Sequence, residues 1–230
     1  MSARDVGVVI VAAGTSSRVG DGELKQFRWV AGRPMLLHSL QLFQSRADVA
    51  MVVCVLPREY AGDPPPWIFQ SDLDRLLVSV GGRTRAESVR HGMADLPPEC
   101  RIVLVHDAAR PLVSMAAVDR VVHAVRAGHA AIAALPVVDT LKEVDDAGRI
   151  VRTVERLALW RAQTPQGFPR GLLLRAHRAA EDGGYDGTDD AALVERIGEP
   201  VMVVRGSERA MKITEAGDFD RAEAMYGLAD

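Results

Sequence analysis

The run Ala12-Ala13-Gly14-Thr15-Ser16-Ser17-Arg18, with Lys25 further on, joins small residues to two cations. Small side chains let a backbone approach a ligand closely, and its N–H groups can then face phosphate oxygens. Arg18 and Lys25 would add charge suited to a polyphosphate. Alone, the run is also an ordinary strand-to-loop connection with solvated cations. Gly81-Gly82-Arg83-Thr84-Arg85, with Ser88 in the first turn of a following helix, sets a glycine pair before a helix N-terminus. That suits a nucleotide contact or a flexible turn. In His106-Asp107-Ala108-Ala109-Arg110-Pro111, Asp107 could hold a divalent cation or accept from a substrate hydroxyl, or cap the turn. Arg110 could hold a phosphate, the two alanines leave room, and His106 reads as a structural histidine.

Further hydroxyls and cations follow. Thr140 and Lys142 open the segment Asp139–Val154 and Arg156 closes it. Thr164 lies in Gln163-Thr164-Pro165-Gln166, and Lys212 in Met211-Lys212-Ile213-Thr214 after a short strand-like stretch. Thr188 precedes Asp189-Asp190, where it is most simply a helix N-cap. Each of these, taken singly, is a solvated side chain or a cap.

The dinucleotide pattern G-x-G-x-x-G and the P-loop pattern G-x-x-x-x-G-K-[ST] are absent, as are H-E-x-x-H and a paired-carboxylate motif. The missing activated nucleophile has a consequence. A phosphate monoester is mostly ionised at neutral pH, its second pKa being about 6. It can attack phosphorus without a protein base, so the protein need only align reactants and stabilise charge on the transferring group. The inventory favours nucleotidyl transfer onto a phosphate over hydrolysis or hydride transfer, with Arg18, Lys25, Lys212 and Mg²⁺ supplying positive charge.

These residues need a frame. Apolar runs at Val6–Val11, Met51–Leu56, Leu76–Val80, Ile102–Val105, Ala130–Val137 and Val201–Val204 read as strands. Helical patterns cover Met35–Phe43 (after Pro34), Arg85–Leu96, Ala116–Arg126 (ended by Gly128), Leu172–Glu181, Asp189–Ile197 and Phe219–Tyr226. The alternation predicts an α/β fold: a Rossmann-like, mostly parallel sheet with helices on both faces. Sites in such sheets lie beyond the carboxyl ends of strands, and the motifs above are each expected just after one. Asp139–Val154 breaks the pattern with a hairpin signal around Asp145-Asp146-Ala147-Gly148. It is either an arm that packs on another subunit or an antiparallel extension of the sheet. No repeat or linker divides residues 1–230, so a single domain is expected.

Composition narrows the class. The 230 residues are 48% hydrophobic and 26% charged, enough for a packed core and against disorder. Lys and Arg number 28 against 31 acids, a net charge of −3, which argues against an extended nucleic-acid footprint. Two isolated cysteines, Cys54 and Cys100, make neither a disulfide framework nor a zinc spacing; Cys54, in an apolar run, reads as core. Residues Met1 to Gly7 do not form a signal peptide, and no apolar run nears the roughly 20 residues of a membrane span. A soluble cytoplasmic protein is expected.

Taken in order, Ala12-Ala13-Gly14…Arg18…Lys25-Gln26, Gly81-Gly82…Arg85…Ser88-Val89, His106-Asp107-Ala108-Ala109-Arg110-Pro111, Asp139-Thr140…Lys142, Gln163-Thr164-Pro165-Gln166, Thr188-Asp189 and Lys212-Ile213-Thr214 resemble the 2-C-methyl-D-erythritol 4-phosphate cytidylyltransferase family. The resemblance runs from about Val8 to Ala222. The glycine-rich start is shared by many nucleotidyltransferases; the H-D-A-A-R-P, T-P-Q and K-I-T elements together are far more specific. It implies a fold of the nucleotide-diphospho-sugar transferase type and transfer of a cytidylyl group from CTP to 2-C-methyl-D-erythritol 4-phosphate, releasing pyrophosphate. It also implies Mg²⁺, and a homodimer joined through an arm at residues 138–156. By the same resemblance, Arg18, Lys25 and Lys212 match catalytic cations. Ala12, Ala13, Gly14, Gly82 and Ser88 match CTP-holding positions, and Asp107, Arg110, Thr164 and Thr188 the sugar-phosphate pocket. Thr140 and Arg156 match positions reaching into the neighbouring subunit's site. Asp107 is also the candidate metal ligand.

The chain departs from the family pattern at Ser16, where a glycine is usual, and at Leu24 and Val11, where prolines are frequent. Ser16 tolerates positive φ poorly, so a differently shaped first loop is expected. The nearest rival is a ribitol-5-phosphate cytidylyltransferase; Ala109, where that relative often carries a bulkier residue, leans against it. A non-catalytic nucleotide-binding protein is disfavoured by the joint presence of Arg18, Lys25, Asp107 and Lys212. A nicotinamide oxidoreductase is disfavoured by the missing fingerprint.

Overall fold

A computed structural model describes residues 4–14 and 24–228. Eleven strands and seven α-helices follow in chain order among them: β1 Val6–Val11, β2 Trp29–Val30, β3 Arg33–Pro34, α1 Met35–Gln44, β4 Val49–Leu56, α2 Arg58–Ala61, β5 Leu76–Val80, α3 Arg85–Asp95 and β6 Ile102–Asp107, then α4 Met115–Arg126, β7 Ala130–Pro136, β8 Leu141–Val144, β9 Ile150–Val154, β10 Trp160–Pro169, α5 Arg170–Asp182, α6 Asp190–Arg196, β11 Val201–Arg205 and α7 Gly217–Tyr226. The central sheet runs β11-β7-β10-β6-β1-β4-β5, and every pairing is parallel except those of β10. The α/β reading, the alternation and the strand and helix positions stand, with ends moved by a residue or two.

Side chains alternate across the sheet because successive Cβ atoms point to opposite faces. Val8, Ile10, Val52, Cys54 and Leu104 join α1 and α4 in one core. Val9, Val53, Val55, Val103 and Val105 join α3, α5 and α6 in the other. Each fully buried Val or Leu contributes about 1.5–3 kcal/mol. Three helices, α3, α4 and α6, start where short polar side chains satisfy free N–H groups. Thr84 accepts from Glu87 N, Ser114 from Ala117 N, and Asp189 from Ala192 N. Asp189, and not Thr188, therefore caps α6; Thr188 precedes the cap and is exposed.

One central strand has no counterpart in the sequence reading. β10 lies antiparallel between β6 and β7 although it reads Trp-Arg-Ala-Gln-Thr-Pro-Gln-Gly-Phe-Pro, without alternation. The motif Gln163–Gln166 sits inside this strand, not after one. The register breaks between Ala162 and Gln166, across Pro165, which has no N–H for a ladder. Buried polar side chains replace the missing bonds. Asp107 N–H donates to Thr164 Oγ1 at 3.1 Å. The Thr164 hydroxyl pairs with His106 Nδ1 at 3.0 Å, and His106 Nε2 with Arg110 O at 3.2 Å. The three bonds form a consistent chain when Nε2 carries the imidazole proton, and they fix the backbone of Asp107. Burial depresses the His106 pKa to about 4.

The hairpin signal is realised as β8 and β9, which pair with each other and not with the central sheet. The alternative of an extension of the sheet is therefore not what forms. Val138, Val144, Ile150, Val151 and Leu157 are exposed on it. No helix among the described residues is long and apolar enough to cross a membrane.

Two measurements test this packing. A Cβ at Gly92, in α3, would lie 2.5 Å from Val9 Cγ1 and 2.9 Å from Val55 Cγ2. Gly92→Ala is expected to lower unfolding free energy by about 1–3 kcal/mol, read from urea titration. Between the ordinary histidine pKa and about 4, unfolded chains take up a proton that buried His106 refuses. Stability should therefore fall by about 2 kcal/mol from pH 7 to pH 5, and His106→Gln should lack that part of the slope.

Candidate functional site

Three strand ends open on one cleft of about 530 Å³. From β1 come Ala12, Ala13 and Gly14; from the β5–α3 turn, Gly82 to Arg85 and Ser88; from β6, Asp107, Ala108 and Ala109. Backbone pairing continues past the strands: Ala12 N–H donates to Val55 O at 2.9 Å, Gly81 N–H to Leu56 O at 2.7 Å, and Ala108 N–H to Val11 O at 3.1 Å. The glycine pair is a matter of space. A Cβ at Gly81 would fall 2.2 Å from the Cβ of Ala13, far inside contact distance. Ser88 is already bonded, accepting from Gly82 N–H at 3.0 Å and donating to Thr84 O at 2.9 Å.

Lys25 and Lys212 reach the same cleft from outside the sheet. Lys25 begins a turn of 3-10 helix over Lys25–Phe27. Phe27 holds that turn by packing edge-on against Tyr60 and Trp67, at centroid distances of 4.9 and 5.5 Å. Gln26 Nε2 donates to Ala12 O at 2.6 Å, tying the turn to the first loop. Lys212 does not follow a strand directly, because a 3-10 turn over Glu208–Ala210 intervenes after β11. Its place is set by Ile213, whose N–H donates to Ala109 O at 2.8 Å and whose side chain is buried with Val30, Met35, Leu112 and Phe219.

The charges are arranged around one carboxylate. Asp107 Oδ2 takes Lys212 Nζ at 2.9 Å, and Oδ1 takes Arg85 Nε and Nη2, both at 3.3 Å. Burial alone would raise the Asp107 pKa; the Arg85 and Lys212 charges outweigh it and hold the carboxyl well below the ordinary range. Arg85 is turned by a second acid: its Nη1 meets Asp190 Oδ2 at 2.6 Å. The described residues lining the cleft include four cations, Lys25, Arg83, Arg85 and Lys212, and one acid, Asp107. Such a cleft attracts a polyanion, and its small side chains let backbone come near it.

Eight residues singled out from sequence line this cleft: Ala12, Ala13, Gly14, Lys25, Gly82, Ser88, Asp107 and Lys212. Arg18 and Ser16 lie outside the described residues. Thr164 lies beneath the cleft, its hydroxyl engaged by Asp107 N–H and His106. Arg110 directs its Nη atoms to Ala210 O and Ala162 O. Thr140 and Arg156 belong to the hairpin, where Arg156 donates to Val138 O. Thr188 is exposed and off the cleft lining. Sequence reasoning missed Arg85, Gln26 and Asp190. Arg85 and Gln26 stand in the quoted motifs, yet nothing local marks their partners, which lie 22 and 14 residues away.

No group of three or more His, Cys, Asp or Glu side chains forms a metal centre among the described residues. Mg²⁺ bound with a nucleotide takes one or two carboxylates plus phosphate oxygens and keeps waters. Asp107 fits that requirement by supplying one carboxylate, provided Lys212 releases Oδ2.

A model of the 2-C-methyl-D-erythritol 4-phosphate cytidylyltransferase family matches residues 6–227. The chain is 44% identical over 227 residues to the Streptomyces coelicolor protein of that name, covering 94% of this chain and 83% of that one. It is 42% identical to the Acidobacterium capsulatum protein of the same name, covering 95% of each. The crystal structure of the Thermus thermophilus enzyme superposes with a TM-score of 0.82 at 37% identity, over 99% of this chain and all of that one. The chain belongs to the 2-C-methyl-D-erythritol 4-phosphate cytidylyltransferase family.

Proposed function

We propose that this chain transfers the cytidylyl group of CTP to 2-C-methyl-D-erythritol 4-phosphate. The observation that carries the reading is the pairing of Arg85 and Lys212 with Asp107, and the presence of Lys25 on the same lining, in a cleft floored by small residues. An oxygen of the acceptor phosphate attacks the α-phosphorus of CTP; that P–O bond forms as the α–β bridging bond breaks, and pyrophosphate leaves with the electron pair. The acceptor needs no base because it is already ionised. Backbone at Ala12–Gly14 and Gly82 holds the nucleotide, and Lys25 and Lys212, with Arg18, offset charge on the transferring phosphoryl group.

Asp107 accepts from acceptor hydroxyls in this reading; the family resemblance also assigns Arg110, Thr164 and Thr188 to the acceptor, and none of the three is on the cleft lining. Asp107 would also hold Mg²⁺ delivered with CTP, and the ion would neutralise phosphate charge. The hairpin at residues 138–156, with its exposed apolar side chains, is proposed to join two copies of the chain and carry Thr140 and Arg156 to the neighbour's site. A cytoplasmic setting suits the free, buried thiols of Cys54 and Cys100.

Pyrophosphate release from CTP and Mg²⁺ tests the reaction, with methylerythritol phosphate and ribitol 5-phosphate compared as acceptors. Release with the former is expected; release only with ribitol phosphate reassigns the substrate, and none with either rejects catalysis. Lys25→Ala should lower kcat by about 10²–10³-fold while weakening CTP binding far less, since the charge it meets grows in the transition state. Equal losses in both would remove that role. Mixed dimers of Arg156→Ala and Lys25→Ala subunits should recover activity over either parent; no recovery rejects the shared site.

A further inference from the structure

Behind the cleft, the ion pairs continue into the protein. Asp190 is fully buried at the start of α6; its Oδ2 lies 2.6 Å from Arg85 Nη1 and its Oδ1 2.9 Å from His177 Nε2. Gln166 Oε1, from the irregular strand β10, accepts from Asp190 N–H at 3.0 Å and Ala191 N–H at 3.1 Å, fixing where the carboxylate stands. His177 comes from α5 and is 1% exposed, and its Nδ1 is buried without a hydrogen-bond partner. The ring therefore has one polar contact, with Nε2 donating to Asp190. A row of groups of alternating charge results: Lys212, Asp107, Arg85 and Asp190, with His177 at its inner end.

Such an arrangement is weak evidence for stability, because apolar residues of similar volume would bury the same space without an unsatisfied nitrogen or a desolvated carboxylate. Its geometry points to a different use. The Arg85 bond to Asp190 is short, and its two bonds to Asp107 are long at 3.3 Å. The deep partner sets the guanidinium plane, and Asp107 is offered a fixed edge that it can lean on or leave.

We propose that His177 and Asp190 are positioning residues for the acceptor: they lock Arg85, and Arg85 presents Asp107 to the sugar phosphate. The inference rests on the reaction proposed above and adds residues that touch neither substrate.

Three variants test it: Asp190→Asn, His177→Leu and His177→Gln, whose amide can donate where Nε2 does. Asp190→Asn and His177→Leu should raise the acceptor KM about tenfold by misplacing Asp107, with a much smaller change in kcat and the CTP KM. His177→Gln should restore the acceptor KM. A structural role alone moves both KM values together with thermal stability, so a parallel rise overturns the proposal, as does no change in either. If Asp190→Asn fails to fold, His177→Leu, close in volume, carries the same comparison. A readout independent of turnover is solvent exchange of the Arg85 Nε–H by ¹⁵N NMR, which should quicken in Asp190→Asn; an unchanged rate overturns the lock. If the parent chain releases no pyrophosphate, the proposed reaction fails, and this exchange rate still decides whether Asp190 holds Arg85.

Discussion

The Asp107 carboxylate stands at the carboxyl end of a central strand with a guanidinium on one oxygen and an ammonium on the other. Burial disfavours the charge of a carboxylate so placed, since removal from water is costly. The two cations together offset that penalty, and they come from parts of the chain 105 and 22 residues distant. Much of the architecture serves that pairing. β10 fixes the backbone of Asp107 through Thr164, α3 brings Arg85, and the buried Ile213 anchors Lys212.

A second constraint is steric. The ends of β1 and β5 approach until a single Cβ would overlap, at Gly81 against Ala13. Backbone N–H groups can line a phosphate cleft only where side chains do not fill it, so small residues are required there for the distance they permit. Gln26, itself on the cleft lining, holds the loop by donating to Ala12 O.

β10 shows how a polar sequence occupies the middle of a sheet. Gln163 exchanges bonds with the backbone of Ser207, and Gln166 with the first turn of α6. Each glutamine amide carries both donor and acceptor, so it substitutes for a stretch of missing ladder. Buried polar groups of this kind are acceptable because each finds a partner. The consequence is a strand with no local signature.

Fold class, most strands and helices, and the small-residue loops after β1, β5 and β6 were legible in the sequence because each is written locally, as an apolar run, a helical period or a cap. The burial of Cys54 and the structural role of His106 were legible for the same reason. The family resemblance named Lys25, Asp107 and Lys212, but it could not say that Arg85 turns between two acids or that the Thr164 hydroxyl is engaged by the Asp107 backbone. Those depend on which side chains meet across 22 to 105 residues of chain, as does the pairing of β10. A contact at such separation leaves no periodic trace. It exists only once the sheet order has brought its two ends together, because charge pairing and hydrogen bonding act over a few ångströms of space and not along the chain.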